Sequence, residues 1–214
     1  MDVSSTSGLM DQAESLLQLG RPHEALQVAG MAAVAQPSDA TVHCVMATGH
    51  LALGEAAQAF GEVKRALALE PTWEWPHRLQ AMALLRQSED LEGRRARRLH
   101  KRAVAAAREA ARLGPAISEA QCILAFAELT VGRIAEARVA AHAAIQLNPH
   151  DAAPWVVTAL LELSAHAWPA AKHAAQQALA IDPDDEAAMT VLITVYQQTG
   201  ATFGDGAQDL SRAS

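Results

Sequence analysis

A repeat of 34 residues constrains this chain more than any other feature of its sequence. Five prolines that each follow an apolar segment lie 34, 44, 34 and 34 residues apart. Two alanine series show the same intervals, and a leucine series has intervals of 34, 34, 44 and 34 residues. The prolines are Pro37, Pro71, Pro115, Pro149 and Pro183; the alanines are Ala25, Ala59, Ala103, Ala137 and Ala171, and Ala32, Ala66, Ala110, Ala144 and Ala178; the leucines are Leu17, Leu51, Leu85, Leu129 and Leu163. Because four series share one period, we predict a chain of stacked repeats.

Each repeat is predicted to form two helices. In the segment 118–149, apolar residues recur at helical spacing from Ser118 to Thr130 and again from Ile134 to Leu147. Gly132 is a stop signal between the two helices. Pro149 ends the second helix, because proline cannot continue a helix and restricts the residue before it. The unit is therefore a helix–turn–helix.

These features resemble the tetratricopeptide repeat (TPR) family over about residues 6–185, with a further helix near 186–198. The glycine between helices is matched at Gly20, Gly54, Gly132 and Gly200. The first-helix tryptophan is matched only at Trp155, and the large aromatic of the second helix is replaced by Ala29, Val63, Ala107, Ala141 and Ala175. The resemblance implies an all-α, right-handed superhelical solenoid of about five repeats plus a C-terminal helix, with a concave surface that binds proteins or peptides.

The period also divides the chain. We predict repeats at 6–39, 40–73, 74–117, 118–151 and 152–185, with a capping helix at 186–198. Residues 1–5 are expected to be disordered and residues 200–214 to form a flexible tail. The 44-residue spacing predicts a ten-residue insertion in the third repeat, between residues 86 and 102.

The resemblance places the partner-binding surface on the first helices. Its concave positions predict an apolar groove formed by Met10, Cys44, Trp75, Arg78, Met82, Cys122, Phe126, Val156 and Leu160. Some TPR proteins grip a C-terminal carboxylate with basic and asparagine side chains, but Met10, Glu14 and Cys44 occupy those positions here. We therefore expect an amphipathic helix or an extended apolar segment as the ligand. The alternative is that these side chains only pack between repeats.

The insertion carries a second candidate surface. Its end, GRRARRLHKR at 93–102, has six positive charges, whereas the whole chain has a formal net charge of −7. The charged residues are Arg94, Arg95, Arg97, Arg98, Lys101 and Arg102. One interpretation is an anionic partner: nucleic acid, acidic lipid or acidic protein. The other is a solvated or internally paired extension of the helix, which like-charge repulsion would leave frayed without a partner.

The sequence offers no pattern typical of catalysis. It has no glycine-rich phosphate loop and no nucleophile elbow. The nine histidines include no pair at helical ligand spacing, although His43, His50 and His77 could lie near one another. We predict a non-enzymatic protein with no cofactor and no metal.

Two further expectations concern location and assembly. No run approaches the 18 or so apolar residues of a membrane span, and the two cysteines, Cys44 and Cys122, are too few for a disulfide framework. We expect a cytoplasmic protein with free thiols. The C-terminal helix, AAMTVLITVYQQTG, has more apolar residues than the face that packs on repeat five would bury. A homodimer through this helix is therefore an open alternative.

Overall fold

A computed structural model describes residues 3–200, and every regular element in this range is an α-helix. The helices are α1 Val3–Gln18, α2 Pro22–Ala35, α3 Ala40–Ala52, α4 Ala56–Leu69, α5 Glu74–Arg86, α6 Gly93–Leu113, α7 Ser118–Thr130, α8 Ile134–Leu147, α9 Ala152–Ser164, α10 Trp168–Ile181 and α11 Glu186–Thr199. Each odd-numbered helix up to α9 forms a pair with the helix that follows it. Each of these first helices also packs against the first helix of the next unit, the last of them against α11. The prediction of an all-α solenoid of five helix pairs plus a C-terminal helix is confirmed.

Alanine makes the close packing possible. All ten alanines of the two predicted series lie in second helices and are at most 1% exposed. The positions where the resemblance led us to expect a large aromatic are also buried and hold small residues, such as Ala107 and Val63. A small side chain at each of these sites lets neighbouring helices approach closely, because little volume separates their backbones.

The insertion in the third repeat lengthens both a helix and a connection. Helix α6 has 21 residues, whereas the other second helices have 14. Six residues connect α5 to α6, compared with three in the other pairs. Seven extra helical residues and three extra loop residues account for the ten predicted from the spacing.

The extension of α6 is helical from Gly93 onward and is held to the body of the repeat. Ala96 is 6% exposed, and Leu99 packs against the cluster around Leu84 and Ala103. The His100 ring nitrogen Nε2 lies 2.9 Å from the Ser88 hydroxyl, which donates to the Leu85 carbonyl. These contacts hold the first turns of the helix in place, against the like-charge repulsion that would leave them frayed.

The ends of the chain differ in part from the predicted boundaries. Helix α1 begins at Val3, so it includes three of the five residues that were expected to be disordered. Residues 1 and 2 and the predicted tail from residue 201 onward lie outside the described residues. Between residues 3 and 200, no helix is long and apolar enough to cross a membrane.

Candidate binding pocket on the first helices

A pocket of about 430 Å³ lies on the surface built by α3, α5, α7 and α9. Five of the nine predicted groove residues line it, and they are the ones contributed by α5 and α7. They are Trp75, Arg78, Met82, Cys122 and Phe126. The remaining lining residues are Thr48, Leu79, Glu119, Ile123, Asp151, Ala153 and Val157. Most of the lining side chains are apolar, and the charged ones come from the third and fourth repeats.

Helical spacing explains why these side chains meet. Trp75, Arg78 and Met82 are separated by three and four residues, and so are Glu119, Cys122 and Phe126 in the next repeat. Such residues lie on one face of a helix, so two adjacent first helices present matching rows. The Trp75 ring is fixed by an edge-to-face contact with Trp73, with ring centroids 5.3 Å apart. This contact favours one orientation of the Trp75 ring in the pocket wall.

Among residues 3–200, Arg78 is the only cation that lines the pocket. Its Nη1 lies 3.5 Å from Glu119 Oε2, and its Nε lies 3.7 Å from Glu74 Oε2. Both distances exceed those of a good charge-assisted hydrogen bond. The side chain is only 17% exposed. Its charge is thus balanced by carboxylates, while among residues 3–200 no acceptor forms a hydrogen bond with its guanidinium.

Glu74, the acidic partner of Arg78, also lacks a close hydrogen bond. Its Oε2 is buried and has no hydrogen-bond partner in the described part of the chain. Burial raises the pKa of this carboxyl, the Arg78 guanidinium lowers it in part, and the nearby Glu119 raises it further. The carboxylate is therefore held close to Arg78 without the close contact that would satisfy it.

Cys122 contributes apolar surface rather than reactivity. Burial raises the pKa of its thiol to about 12, with smaller contributions from Asp151 and Glu119. The pKa of the Cys44 thiol is also raised to about 12, mainly by burial. Both cysteines are free. At neutral pH both are protonated thiols that behave as small hydrophobic groups.

Four predicted groove residues do not line this pocket. Met10 is 8% exposed and Cys44 is 0% exposed, because Met10 packs with residues of the first two repeats and Cys44 with residues of the second and third. Val156 and Leu160 are half-buried against the apolar cluster between α9, α10 and α11. The pocket takes Val157 from α9 instead.

Further residues that helical spacing did not select also line the pocket. Leu79, Ile123 and Val157 each follow directly after a predicted concave position. This common offset of one residue shows that the pocket-facing side of each first helix is wider than the predicted stripe. Asp151 comes from the connection before α9, which helical spacing alone does not place.

The predicted basic residues form a separate surface. All six lie in the first three turns of α6 and are exposed. None of them lines the apolar pocket. Arg102 lies over the Phe60 ring, 5.6 Å from its centroid, and Lys64 lies 5.3 Å from the same centroid.

The three histidines that could have approached one another each have a different partner. His43 lies 2.8 Å from a Glu62 oxygen, His50 lies 2.7 Å from a Glu55 oxygen, and His77 bonds the Pro71 carbonyl. Across residues 3–200, no group of three histidine, cysteine or acidic side chains has the arrangement of a metal site.

Comparison with solved structures defines the class of protein as a helical-repeat solenoid. TTC0263, a thermophilic TPR protein in Thermus thermophilus, matches 90% of this chain and 99% of its own, with a TM-score of 0.80 and 20% identity. MamA from Desulfovibrio magneticus RS-1 matches 85% of this chain and 97% of its own, with a TM-score of 0.58 and 17% identity. YrrB, a TPR protein with an unusual peptide-binding site, matches 85% of this chain and 89% of its own, with a TM-score of 0.55 and 16% identity.

More particularly, the chain has the tetratricopeptide-repeat fold. The resemblance seen in the sequence is confirmed at the level of the fold. No protein-family profile matches the sequence, and no curated protein matches it significantly.

Proposed function

We propose that this protein is a non-enzymatic interaction module that binds an apolar peptide segment or helix in the pocket between α3, α5, α7 and α9. The single observation that carries the proposal is the convergence of Trp75, Met82 and Phe126 on one pocket of about 430 Å³. Met82 keeps 40% of its surface exposed there. An open apolar pocket with a few polar groups is the usual form of a recognition site. YrrB, which shares the fold, is a TPR protein with a peptide-binding site.

The charged groups around Arg78 favour a neutral hydrogen-bond acceptor on the ligand. Arg78 already has Glu74 and Glu119 near it, so a negatively charged group of the ligand would be repelled by those two carboxylates. Its N–H groups still lack acceptors among the described residues. A neutral acceptor, such as a peptide carbonyl or an amide side chain, fits both conditions. We therefore expect apolar anchors in the pocket and a main-chain carbonyl against Arg78.

Selection from a random peptide library tests this proposal. Peptides enriched on the wild-type protein would be labelled and measured by fluorescence anisotropy against the wild type and the variants Met82→Glu and Phe126→Glu. We expect enriched peptides to be rich in large apolar residues. Each variant should weaken binding by about 2 kcal/mol, roughly thirtyfold in Kd, because a carboxylate would be placed in the apolar contact.

Met31→Glu is the matched control, because Met31 is 53% exposed on α2 and does not line the pocket. It should leave the Kd unchanged within about twofold. Circular dichroism would show that all variants keep their helical content. Selected peptides that bind the two pocket variants as tightly as the control would refute the proposal.

We also propose that a second copy of the chain pairs with α11. Met189 and Ile193 lie one turn apart on this helix and are 40% and 44% exposed. Val191 and Val195, on another face, are buried against the fifth repeat. The outer face of the last helix is thus partly apolar, which supports an end-to-end dimer.

A further inference from the structure

The first turns of α6 carry cations that the described part of the chain leaves without counterions. Within residues 3–200, none of the six basic side chains at 94–102 lies within 4 Å of a carboxylate oxygen. Arg97 contacts only the Gly93 carbonyl of its own helix, and Arg102 lies on the Phe60 ring. Internal pairing of these charges was one of the predicted alternatives, and the fold supplies no carboxylate for them among the described residues.

In the second half of the same helix, the arginines have acidic partners. Arg108 lies 2.7 Å from Glu128 of α7, and Arg112 lies 2.6 Å from Glu109. Arg133 also reaches Glu128, at 3.2 Å. Along one helix, the later arginines are therefore paired with carboxylates, while the earlier basic residues have no carboxylate partner among residues 3–200.

The unpaired cations form a continuous surface. Residues 94, 98 and 101 are separated by four and three residues, so they lie on one face, with Arg97 and Arg102 beside them. Five of the six line a shallow depression of about 540 Å³: Arg94, Arg97, Arg98, Lys101 and Arg102. From Arg94 to Arg102 the face is about 12 Å long at 1.5 Å per residue. We call these five residues the α6 cationic face.

This arrangement carries an electrostatic cost in the isolated protein. Like charges spaced three or four residues apart repel one another. The first turn of α6 contains arginines and no acidic residue, whereas a helix N-terminus favours negative charge. Because Ala96, Leu99 and His100 hold the helix in place, the cations stay close together instead of dispersing. A ligand that brings negative charge would relieve the repulsion.

We propose that the α6 cationic face binds an acidic segment of another protein. Charge complementarity carries the argument: the second half of α6 shows arginines of this helix matched to glutamates, and the first half presents the same side chains without them. Arginine pairs with carboxylates through a planar fork that favours defined geometry. This is a second surface, independent of the apolar pocket.

Two other anionic partners fit the surface less well. A membrane would be expected to contact apolar side chains, but the apolar residues of this segment, Ala96 and Leu99, face the protein core. Nucleic acid binding would gain from exposed aromatic rings for base stacking, but the Phe60 ring beside the α6 cationic face is covered by Arg102 and Lys64. The net charge is −7, so the chain without these six positive charges has a formal charge of −13. This negative charge opposes the approach of a long polyanion.

Fluorescence anisotropy with defined probes tests the proposal. The probes are a labelled Ser-Gly peptide carrying six glutamates, a single-stranded oligothymidylate with the same charge, and vesicles containing phosphatidylserine, all in 150 mM NaCl. We expect the acidic peptide to bind the wild type more tightly than the other two. The variant Arg94→Gln/Arg97→Gln/Arg98→Gln/Lys101→Gln should weaken peptide binding at least about tenfold, because four charged contacts are lost.

The matched control removes four exposed arginines that are already paired with a glutamate three residues away. It is Arg21→Gln/Arg65→Gln/Arg86→Gln/Arg112→Gln, which changes the net charge by the same amount. This control should bind the peptide within about twofold of the wild type. Equal losses in both variants, or tighter binding of the oligothymidylate or the vesicles, would overturn the proposal.

Discussion

At the scale of the residue, packing determines the chemistry of the two cysteines. Cys44 is fully buried in the second repeat, and Cys122 lies in the wall of the pocket. Burial raises the pKa of both thiols from 9.0 to about 12. A thiol must lose its proton to act as a nucleophile, so neither residue is expected to react readily in the folded protein.

Thiol labelling provides the corresponding prediction. At pH 8 the folded protein should react with Ellman's reagent about a thousandfold more slowly than the protein in denaturant, because three pKa units lower the thiolate fraction by that factor. The denatured protein, measured in parallel, should release two equivalents of chromophore. Fast release of one equivalent from the folded protein would contradict the burial of at least one thiol.

The same shift has a consequence for stability at high pH. In the unfolded chain the thiols lose protons near pH 9, while in the folded state they stay protonated until about pH 12. Their contribution to stability is therefore present below pH 9 and decreases as the pH rises from 9 to 12. A Cys44→Ala/Cys122→Ala variant should show a smaller loss of unfolding free energy between pH 8 and pH 10.5 than the wild type.

At the scale of the element, glycine has opposite effects in a connection and inside a helix. Gly132 follows α7 with a φ of +75°, a conformation that strains other residues. A Cβ at this position would meet no atom within 4 Å, so the strain is purely conformational. Gly61 lies inside α4, without a positive φ, and there too a Cβ would have open space.

Two single substitutions should therefore change stability in opposite directions. Gly132→Ala should lower the free energy of unfolding by about 1 kcal/mol, because alanine is strained at positive φ. Gly61→Ala should raise it by about 0.5–1 kcal/mol, because alanine is the better helix former. Urea denaturation followed by circular dichroism measures both. A destabilising Gly61→Ala would show that the surface of α4 is more crowded than the structure indicates.

At the scale of the whole molecule, the solenoid has two ends, and the last helix leaves one of them partly apolar. Residues in an internal repeat are covered on both sides, whereas α11 has a neighbouring helix on one side only in the described chain. The proposed dimer would cover Met189 and Ile193. A closed pair of this kind is isologous, since each copy offers the same face.

Light scattering over a range of concentrations tests this proposal. The wild type should change from monomer to dimer as the concentration rises, and Ile193→Glu should remain monomeric, because the dimer would bury an unpaired carboxylate. Val139→Glu, at a residue 73% exposed on α8, is the control and should behave as the wild type does. A wild-type protein that remains monomeric at millimolar concentration would refute the dimer.

Much of the fold follows from local patterns in the chain. The spacing of prolines, alanines and leucines predicted two helices in each repeat, and the observed second helices end two residues before Pro37, Pro71, Pro115, Pro149 and Pro183. The change from 34 to 44 residues located the longer third repeat. These features were predictable because helix signals act within a few residues of the chain.

The exposed surface was only partly predictable, because it depends on how neighbouring repeats pack. Trp75, Met82 and Phe126 meet in one pocket, but Met10 and Cys44, which the same positional rule selected, are buried in the core. Equivalent positions in different repeats are thus buried to different extents, because the neighbouring side chains that pack against them differ.

The sequence by itself determined the period, the helices and the place of the insertion, since each depends on residues that are close along the chain. Only the tertiary structure decided which side chains remain open and which charges are paired. Arg108 finds Glu128 twenty residues away, while Arg98, on the same helix, has no such partner in the described chain. Exposure and pairing are set by contacts between different helices, and the spacing within one helix does not specify them.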